Sequence, residues 1–410
     1  MLNVHAIRQQ FPALQRTVDD KPAAYLDGPG GTQVHESVIA AMAGFMQRGG
    51  SNHGGPFVTS RETDAVAESA RTAMADLFGS SPGEIAFGQN MTSITLSVSR
   101  ALGATWGPGD NVVVSRLDHD GNVSPWLIAA RDAGAEARWI DFDPDNGCRL
   151  TVDDLDRVID DRTRLVAVTH ASNAVGTITD PKPIIEAAHG VGALTYVDAV
   201  HYSPHGLIDV ADLGTDFLVA SAYKFFGPHT GVLYGRREVL ESVAAYKIRP
   251  APDDPPGKWE TGTQSFESLA GVRAAVDYIA SLGDGESRRD RIRSAMQVIG
   301  AYERALSERF LAGISTLPGV TLYGRHASGG RTPTFAVSVE GMHPRAVAES
   351  MGALGIFVWA GHYYAIEVMD RLGVADQGGL VRIGFVHYNT ADEVDRVVSV
   401  LAALSQEATP

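Results

Sequence analysis

The chain has 410 residues, 44% hydrophobic and 20% charged, an ordinary composition for a globular protein with room for two substantial cores. Its 49 acidic residues against 34 Lys plus Arg leave a formal charge of -15, which repels a nucleic-acid backbone and an anionic membrane surface alike, so the expected ligand is a small molecule. The lone cysteine, Cys148, excludes an intrachain disulfide and any multi-cysteine zinc or iron–sulfur site. The N-terminus lacks the long apolar core of a signal peptide, and no apolar run is long enough to span a bilayer, so a cytoplasmic protein without a membrane partner is expected.

From about residue 80 to 235, short apolar runs alternate with helical patterns: EIAF from Glu84, NVVVS from Asn111, ARWI from Ala137, RLVAVTH from Arg164, ALTYVD from Ala193, DFLVAS from Asp216 and GVLYG from Gly231. Such alternation predicts βαβ units in a mostly parallel sheet covered on both faces. The tracts TVDDLDRVI from Thr151 and PIIEAAHGVG from Pro183 have acidic starts or glycine stops that suit helices. Helical spacing over residues 265–282 meets the polar hinge GDGES at Gly283, where a domain boundary is expected. Beyond it come a charged amphipathic helix from Arg288 to Leu311, strand-like TFAVSVE from Thr334, helix-like RAVAESMGAL from Arg345, strand-like IFVWA from Ile356, VRIGF from Val381 and a last helix from Ala391. That is a second, smaller α/β unit.

Ligands of open α/β sheets sit outside the carboxyl ends of the strands. Here His119, Asn173, Asp198 and Lys224 all follow strand-like runs, and Thr92 and Ser93 open a predicted helix whose free amides and dipole favour a phosphate. Lys224 stands alone in the apolar, glycine-rich DFLVASAYKFFGPHTG. An amine for a Schiff base, an aspartate one strand away, a histidine and a phosphate cradle together fit a pyridoxal 5'-phosphate site, in which the carboxylate keeps the pyridine nitrogen protonated. Taken singly, Asp198 also suits a turn, His119 and His201 suit satisfied core histidines, and Thr92 and Ser93 suit the cap of their own helix. His201 and His205 are four apart, but the intervening proline disfavours helical presentation and no third ligand is evident, so no metal is expected.

Several segments resemble the class V aminotransferase family of fold-type I pyridoxal phosphate enzymes, in its cysteine desulfurase-like branch: YLDGPGGTQ from Tyr25, SNHGG from Ser51, DHDGNVSPW from Asp118, THASNAVGT from Thr169, VDAVHYSPH from Val197, SAYKFFGPHTG from Ser221, ETGTQ from Glu260 and RIGFVHYNTADEV from Arg382. The resemblance implies an α/β fold in which a large domain with a mostly parallel seven-stranded sheet spans residues 24–283. A smaller α/β domain spans 284–410, and residues 1–23 form a segment packed on it. It implies that Lys224 forms the Schiff base, Asp198 partners the pyridine nitrogen, His119 stacks on the ring and Asn173 reaches the phenolic oxygen or the substrate carboxylate. Thr92, Ser93, Ser221 and Tyr223 are implied at the phosphate and His201 at the ring oxygen. Thr263 would be donated by the second subunit of a homodimer with shared sites, and Arg382 would bind the carboxylate of an amino-acid substrate.

The match fails where desulfurases carry Arg-Thr-Gly-x-x-Cys. Here the stretch reads WAGHYYAIEVMD, with Trp359 in place of the arginine and Tyr364 in place of the sulfur-accepting cysteine. A tyrosine donates a proton or stacks but forms no persulfide. His362, Tyr363 and Tyr364 suit an aromatic, proton-competent wall over the substrate, or the packing of a helix start. Cys148, in the turn-like DPDNGCRL, is expected to be structural. His201 and Tyr223 replace the glutamine and histidine usual in desulfurases. Loss of the cysteine leans towards β-elimination or transamination. Desulfuration, epimerisation and a non-catalytic binding role stay as alternatives.

Overall fold

The computed structural model describes residues 2–408; Met1 and residues 409–410, the outermost positions of the two expected terminal segments, lie outside the described residues. The seven apolar runs all become strands of one sheet: β1 (Ile85–Gly88), β2 (Asn111–Ser115), β3 (Glu136–Ile140), β4 (Thr163–Thr169), β5 (Leu194–Asp198), β6 (Phe217–Ser221) and β7 (Gly231–Gly235). Their spatial order is β1-β7-β6-β5-β4-β2-β3. Strands β2 to β6 pair in parallel, whereas β7 is antiparallel to both β6 and β1. The connection over residues 222–230 is too short for a crossover, so the chain must turn back beside β6, and that turn carries Lys224.

Alternate residues of each strand feed opposite cores. Val113, Val166, Val197 and Leu218 pack on one face of the sheet, and Val112, Leu165, Tyr196 and Phe217 on the other. Burial on both faces explains why these strands read as continuous apolar runs.

Helix α1 (Met91–Gly103) follows β1, and α2 (Phe266–Ser281) leads to a new helix start at Ser287, whose hydroxyl accepts from Asp290 N at 3.1 Å while Asp290 reaches back to the Ser287 amide. The long helix α3 (Arg288–Ile314), α4 (Pro344–Ala353) and α5 (Ala391–Ala408) accompany a four-stranded sheet of β8 (Val320–Tyr323), β9 (Thr334–Val339), β10 (Trp359–Gly361) and β11 (Leu380–Gly384), ordered β8-β9-β11-β10. Phe310, Phe335 and Phe385 centre its core, against Val397 and Leu401 of α5.

Three local expectations differ. The tract from Thr151 forms only a 3-10 turn, Leu155–Arg157, because its run of aspartates competes with the backbone for hydrogen bonds and only Leu155 and Ile159 are buried. The small sheet is wholly antiparallel and includes the unanticipated β8, whose four residues are half-buried or exposed and so lack an apolar signature. The IFVWA run is split: Ile356–Phe357 pairs in parallel with Ala24–Tyr25, and only Trp359–Gly361 joins the small sheet. That pairing brings the segment after Tyr25 against β11, where Asp27 bridges Gly384 and Gly384 N donates to Leu26 O at 2.8 Å.

Candidate active site

The carboxyl ends of β4, β5 and β6, the turn after β2 and the start of α1 open on one cleft of about 780 Å³. Asn173, Asp198, Ser221 and Lys224 line it from the strand ends, with His119, His201, Thr92 and Tyr223 beside them. Tyr364 reaches it from the loop after β10. Ser93 and Thr263 lie elsewhere: both line a neighbouring cleft of about 550 Å³, which shares His229 with the first. His362 and Arg382 are not on the wall of the main cleft, but Arg382 is buried directly behind it.

Lys224 is half-buried, and its Nζ donates to the Pro29 carbonyl at 2.5 Å and lies 4.9 Å from the Tyr223 ring centre. Burial, and then the Arg382 charge, lower its pKa from 10.5 to about 7 against the opposing pull of Asp198 and Asp27. The amine is therefore half neutral at neutral pH, the form that attacks a carbonyl or accepts a proton. Asp198 is 3% exposed and its Oδ1 accepts from Val200 N at 2.8 Å. Burial raises its pKa to about 6, still below neutrality, so its carboxylate stays charged for a cationic ring nitrogen.

These values give a pH prediction with a definite sign. A lysine with a lowered pKa is deprotonated above that value, so capture of pyridoxal phosphate by the apoprotein should accelerate as pH rises through 7 and level off by about pH 8. Stopped-flow absorbance reads this directly; a rate still climbing towards pH 10 would mean that the reacting amine is solvent-exposed.

At the start of α1 the Asn90 side chain accepts from Ser93 N at 2.9 Å, and Met91 N donates to Ser221 Oγ at 3.0 Å. First-turn amides have no acceptor within their own helix, so the helix start at Thr92, which lines the cleft and whose hydroxyl donates to Met91 Sδ at 3.3 Å, suits an anion. The Ser93 hydroxyl is engaged in capping, donating to Asn90 O at 2.9 Å, which accounts for its turning from the cleft. Ser221 thus ties the end of β6 to the cradle.

His119 Nδ1 accepts from Gly121 N at 2.9 Å, and burial followed by the Lys224 and Arg382 charges lowers its pKa to about 4. It is neutral with the proton on Nε2. Its ring stacks on Tyr364 at 5.3 Å and 26°. The loop is held over the cleft by Asp120 N donating to Tyr364 O at 2.6 Å and Asn173 Nδ2 donating to Tyr363 O at 2.8 Å. Tyr363 and Tyr364 both have left-handed φ values, 52° and 59°, conformations that a non-glycine residue holds only when its surroundings impose them. His201 is buried, its Nε2 between the Thr332 and Thr334 hydroxyls at 3.0 and 3.1 Å, and burial holds its pKa well down.

Arg382 is 5% exposed; Nη1 donates to Asn173 O at 2.9 Å and the guanidinium lies 4.4 Å from the Tyr363 ring centre. Burial lowers its pKa to about 10, so it stays charged. Its Nε and the Asn173 Oδ1 are buried without hydrogen-bond partners. Two such orphans side by side, one cationic donor and one amide, suit a carboxylate-bearing ligand. Together with the amine, the charged Asp198 and the Thr92 cradle, the residues present fit pyridoxal phosphate carrying an amino acid.

Cys148 is fully buried outside the cleft, and burial raises its thiol pKa to about 12. Sequence reasoning missed His229, stacked on Tyr223 at 4.8 Å and 15°, while Trp359, noted there in place of the loop arginine, packs so that its Nε1 would lie 2.4 Å from a Cβ added at Gly30. Asp27 was missed too, and its place at the start of the glycine-rich YLDGPGGTQ was the one available signal.

Residues 24–397 match the family model for class-V aminotransferases. A cysteine desulfurase of Klebsiella pneumoniae is 32% identical over 415 residues, 97% of each chain. An aminotransferase-like protein of Gibberella zeae is 31% identical over 409 residues, 97% of this chain and 98% of that one. Among solved structures, an apo cysteine desulfurase from Thermococcus onnurineus superposes with a TM-score of 0.89 at 27% identity, with 99% of both chains covered.

Proposed function

The chain belongs to the class V aminotransferase family and is a pyridoxal-phosphate-dependent enzyme, and from that premise we propose that it removes the Cα proton of an amino acid and proceeds by β-elimination, of the carbon–sulfur lyase type, or by transamination, without a cysteine persulfide. The observation that carries the choice is the loop over the cleft, which presents Tyr364 to His119 and no thiol, while Cys148 is sealed in a core. Names of relatives do not decide it, since one similar protein is called a desulfurase and another aminotransferase-like.

In this reading pyridoxal phosphate supplies an electron sink for the charge left at Cα. Thr92 and Ser221 would hold its phosphate, with Tyr223 alongside; Asp198 would keep the proton of its ring nitrogen, His201 would serve its ring oxygen and His119 would offer its flat neutral imidazole to the ring. Arg382 and Asn173 fix the substrate carboxylate, which aims Cα at Lys224. Lys224 Nζ, poised near neutrality, accepts the Cα proton. Tyr364 closes the cleft as a proton-bearing wall, with His362 at its edge.

Thr263 faces the neighbouring cleft rather than the Lys224 cleft of its own chain. This supports a homodimer in which each subunit lends Thr263 to the other's phosphate. The same reading divides the chain at residue 283; of residues 1–23, expected on the small domain, Arg8 pairs with Glu393 at 2.9 Å and donates to Tyr388 O at 2.8 Å, but Phe11 packs edge-on against Phe226 and Tyr278 of the large domain.

A single-turnover screen of amino acids and their sulfur derivatives tests the proposal. Oxo acid with released thiol, or aminated cofactor, is the expected product; alanine with sulfur retained on the protein, or an inverted amino acid, would overturn it. In the same assay Cys148→Ala should turn over within about twofold of the parent, while losing about 1 kcal/mol of stability from its sealed position. A dead but folded Cys148→Ala enzyme would restore a role for that thiol.

A further inference from the structure

The Asp27 carboxylate has no part in the reading above, yet it feels the charges of both of its cations, Arg382 and Lys224, without touching either. Pairing of Asp27 with Gly384 places it two residues from Arg382 along β11, and the turn that follows gives the Pro29 carbonyl to Lys224. Its Oδ1 is buried without a hydrogen-bond partner. The charged groups acting on it are Arg382 and Lys224; the Tyr388 phenol is the further titratable group that feels it. Among the described residues the groups of opposite tendency acting on Arg382 are the Tyr363 phenol, the Asp27 carboxylate and the Tyr223 phenol, so Asp27 is the one carboxylate in that set.

We propose that Asp27 is the internal counter-ion of Arg382, a carboxylate that the substrate's own carboxylate must compete with, so that substrate binding is coupled to uptake of a proton by Asp27. A buried arginine needs a negative partner when no substrate carboxylate is bound. When an α-carboxylate docks on the same guanidinium, two anions share a desolvated site, and like charges at close range cannot both stay ionised without cost. The cheapest relief is protonation of Asp27, which has no hydrogen bond at Oδ1 to lose. Burial has already raised its pKa to about 6, against its own backbone amide, Arg382 and Lys224. Asp27 is thereby a specificity-determining residue: it disfavours weak anions that bind Arg382 alone and admits ligands whose further contacts outweigh the competition.

This inference rests on the reading of Arg382 as the carboxylate-binding group, and the test separates the two. The holoenzyme is titrated calorimetrically with propionate, which carries a carboxylate but no amine, between pH 6.0 and 7.5 in buffers of differing ionisation heat. Affinity should rise about tenfold as pH falls across that range, with net proton uptake per propionate bound. Asp27→Asn should bind with a pH-independent affinity at least equal to that of the parent at pH 7.5. Should Asp27→Asn fail to fold, absence of proton uptake in the parent itself overturns the inference. Persistence of the pH dependence in a folded Asp27→Asn overturns it equally. If Arg382→Gln binds propionate as well as the parent, the reading of Arg382 falls instead.

Discussion

Replacement of Lys224 by alanine is expected to lower turnover of any amino-acid substrate by about a thousandfold or more, since it removes both the nucleophile that tethers the cofactor and the base above Cα. The effect is covalent as well as catalytic. Borohydride should attach the cofactor to the parent at Lys224, adding its mass to one peptide, and should attach nothing to the variant. Lys224→Arg provides the control for charge: its guanidinium preserves a cation beside Asp198 yet neither condenses with a carbonyl nor deprotonates near neutrality. Both variants should bind pyridoxal phosphate reversibly, because the Thr92 cradle and Asp198 are untouched. A Lys224→Ala enzyme retaining turnover within tenfold would sink the assignment.

The second large effect is at Arg382. Truncating one partner of a buried charged pair typically costs about 2 to 5 kcal/mol, so Arg382→Gln should lower kcat/KM for α-amino acids by roughly a hundredfold or more, mainly through KM. The visible band of the bound cofactor should be little changed, because Arg382 contacts the Asn173 carbonyl and the Tyr363 ring rather than the strand end bearing Asp198. Arg382→Lys sharpens the test. A point charge on a flexible stem restores attraction but not the planar fork, so it should recover only part of the loss. Loss of cofactor with unchanged amino-acid affinity would assign Arg382 elsewhere. The two experiments are independent, since one reads covalent attachment of the cofactor and the other affinity for substrate.

The large sheet was legible because its signal is local. All of the seven strands except the edge strand β3, where only Ile140 is buried, are buried on both faces, so they read as short apolar runs whatever their neighbours are. Lys224, Asp198, Asn173 and His119 could then be placed together by strand ends alone. The small sheet was less legible: β8 is partly exposed, and Ile356–Phe357 pairs with Ala24–Tyr25 across more than three hundred residues, a partnership that no local pattern records. Ser93 was grouped with Thr92 by adjacency, whereas one step along a helix turns a side chain by about 100° and put its hydroxyl into the cap.

By itself the sequence determined the seven strands, the residues at their carboxyl ends and the resemblance to pyridoxal phosphate enzymes, and it raised the expectation that Tyr364 stands where desulfurases carry their sulfur-accepting cysteine. These follow from side-chain type and spacing along the chain, which folding does not alter. Only the tertiary structure decided which groups carry charge. Lys224 falls to about 7, Asp27 rises to about 6, and His119 is neutral, because each ionisation depends on burial and on charges brought from distant segments. The pairing of Asp27 with Gly384 brings an acid to within two strand positions of Arg382 from opposite ends of the chain, and the stacking of Tyr364 on His119 joins the two halves over the cleft. Such juxtapositions are properties of three-dimensional packing, for which linear order provides no distance.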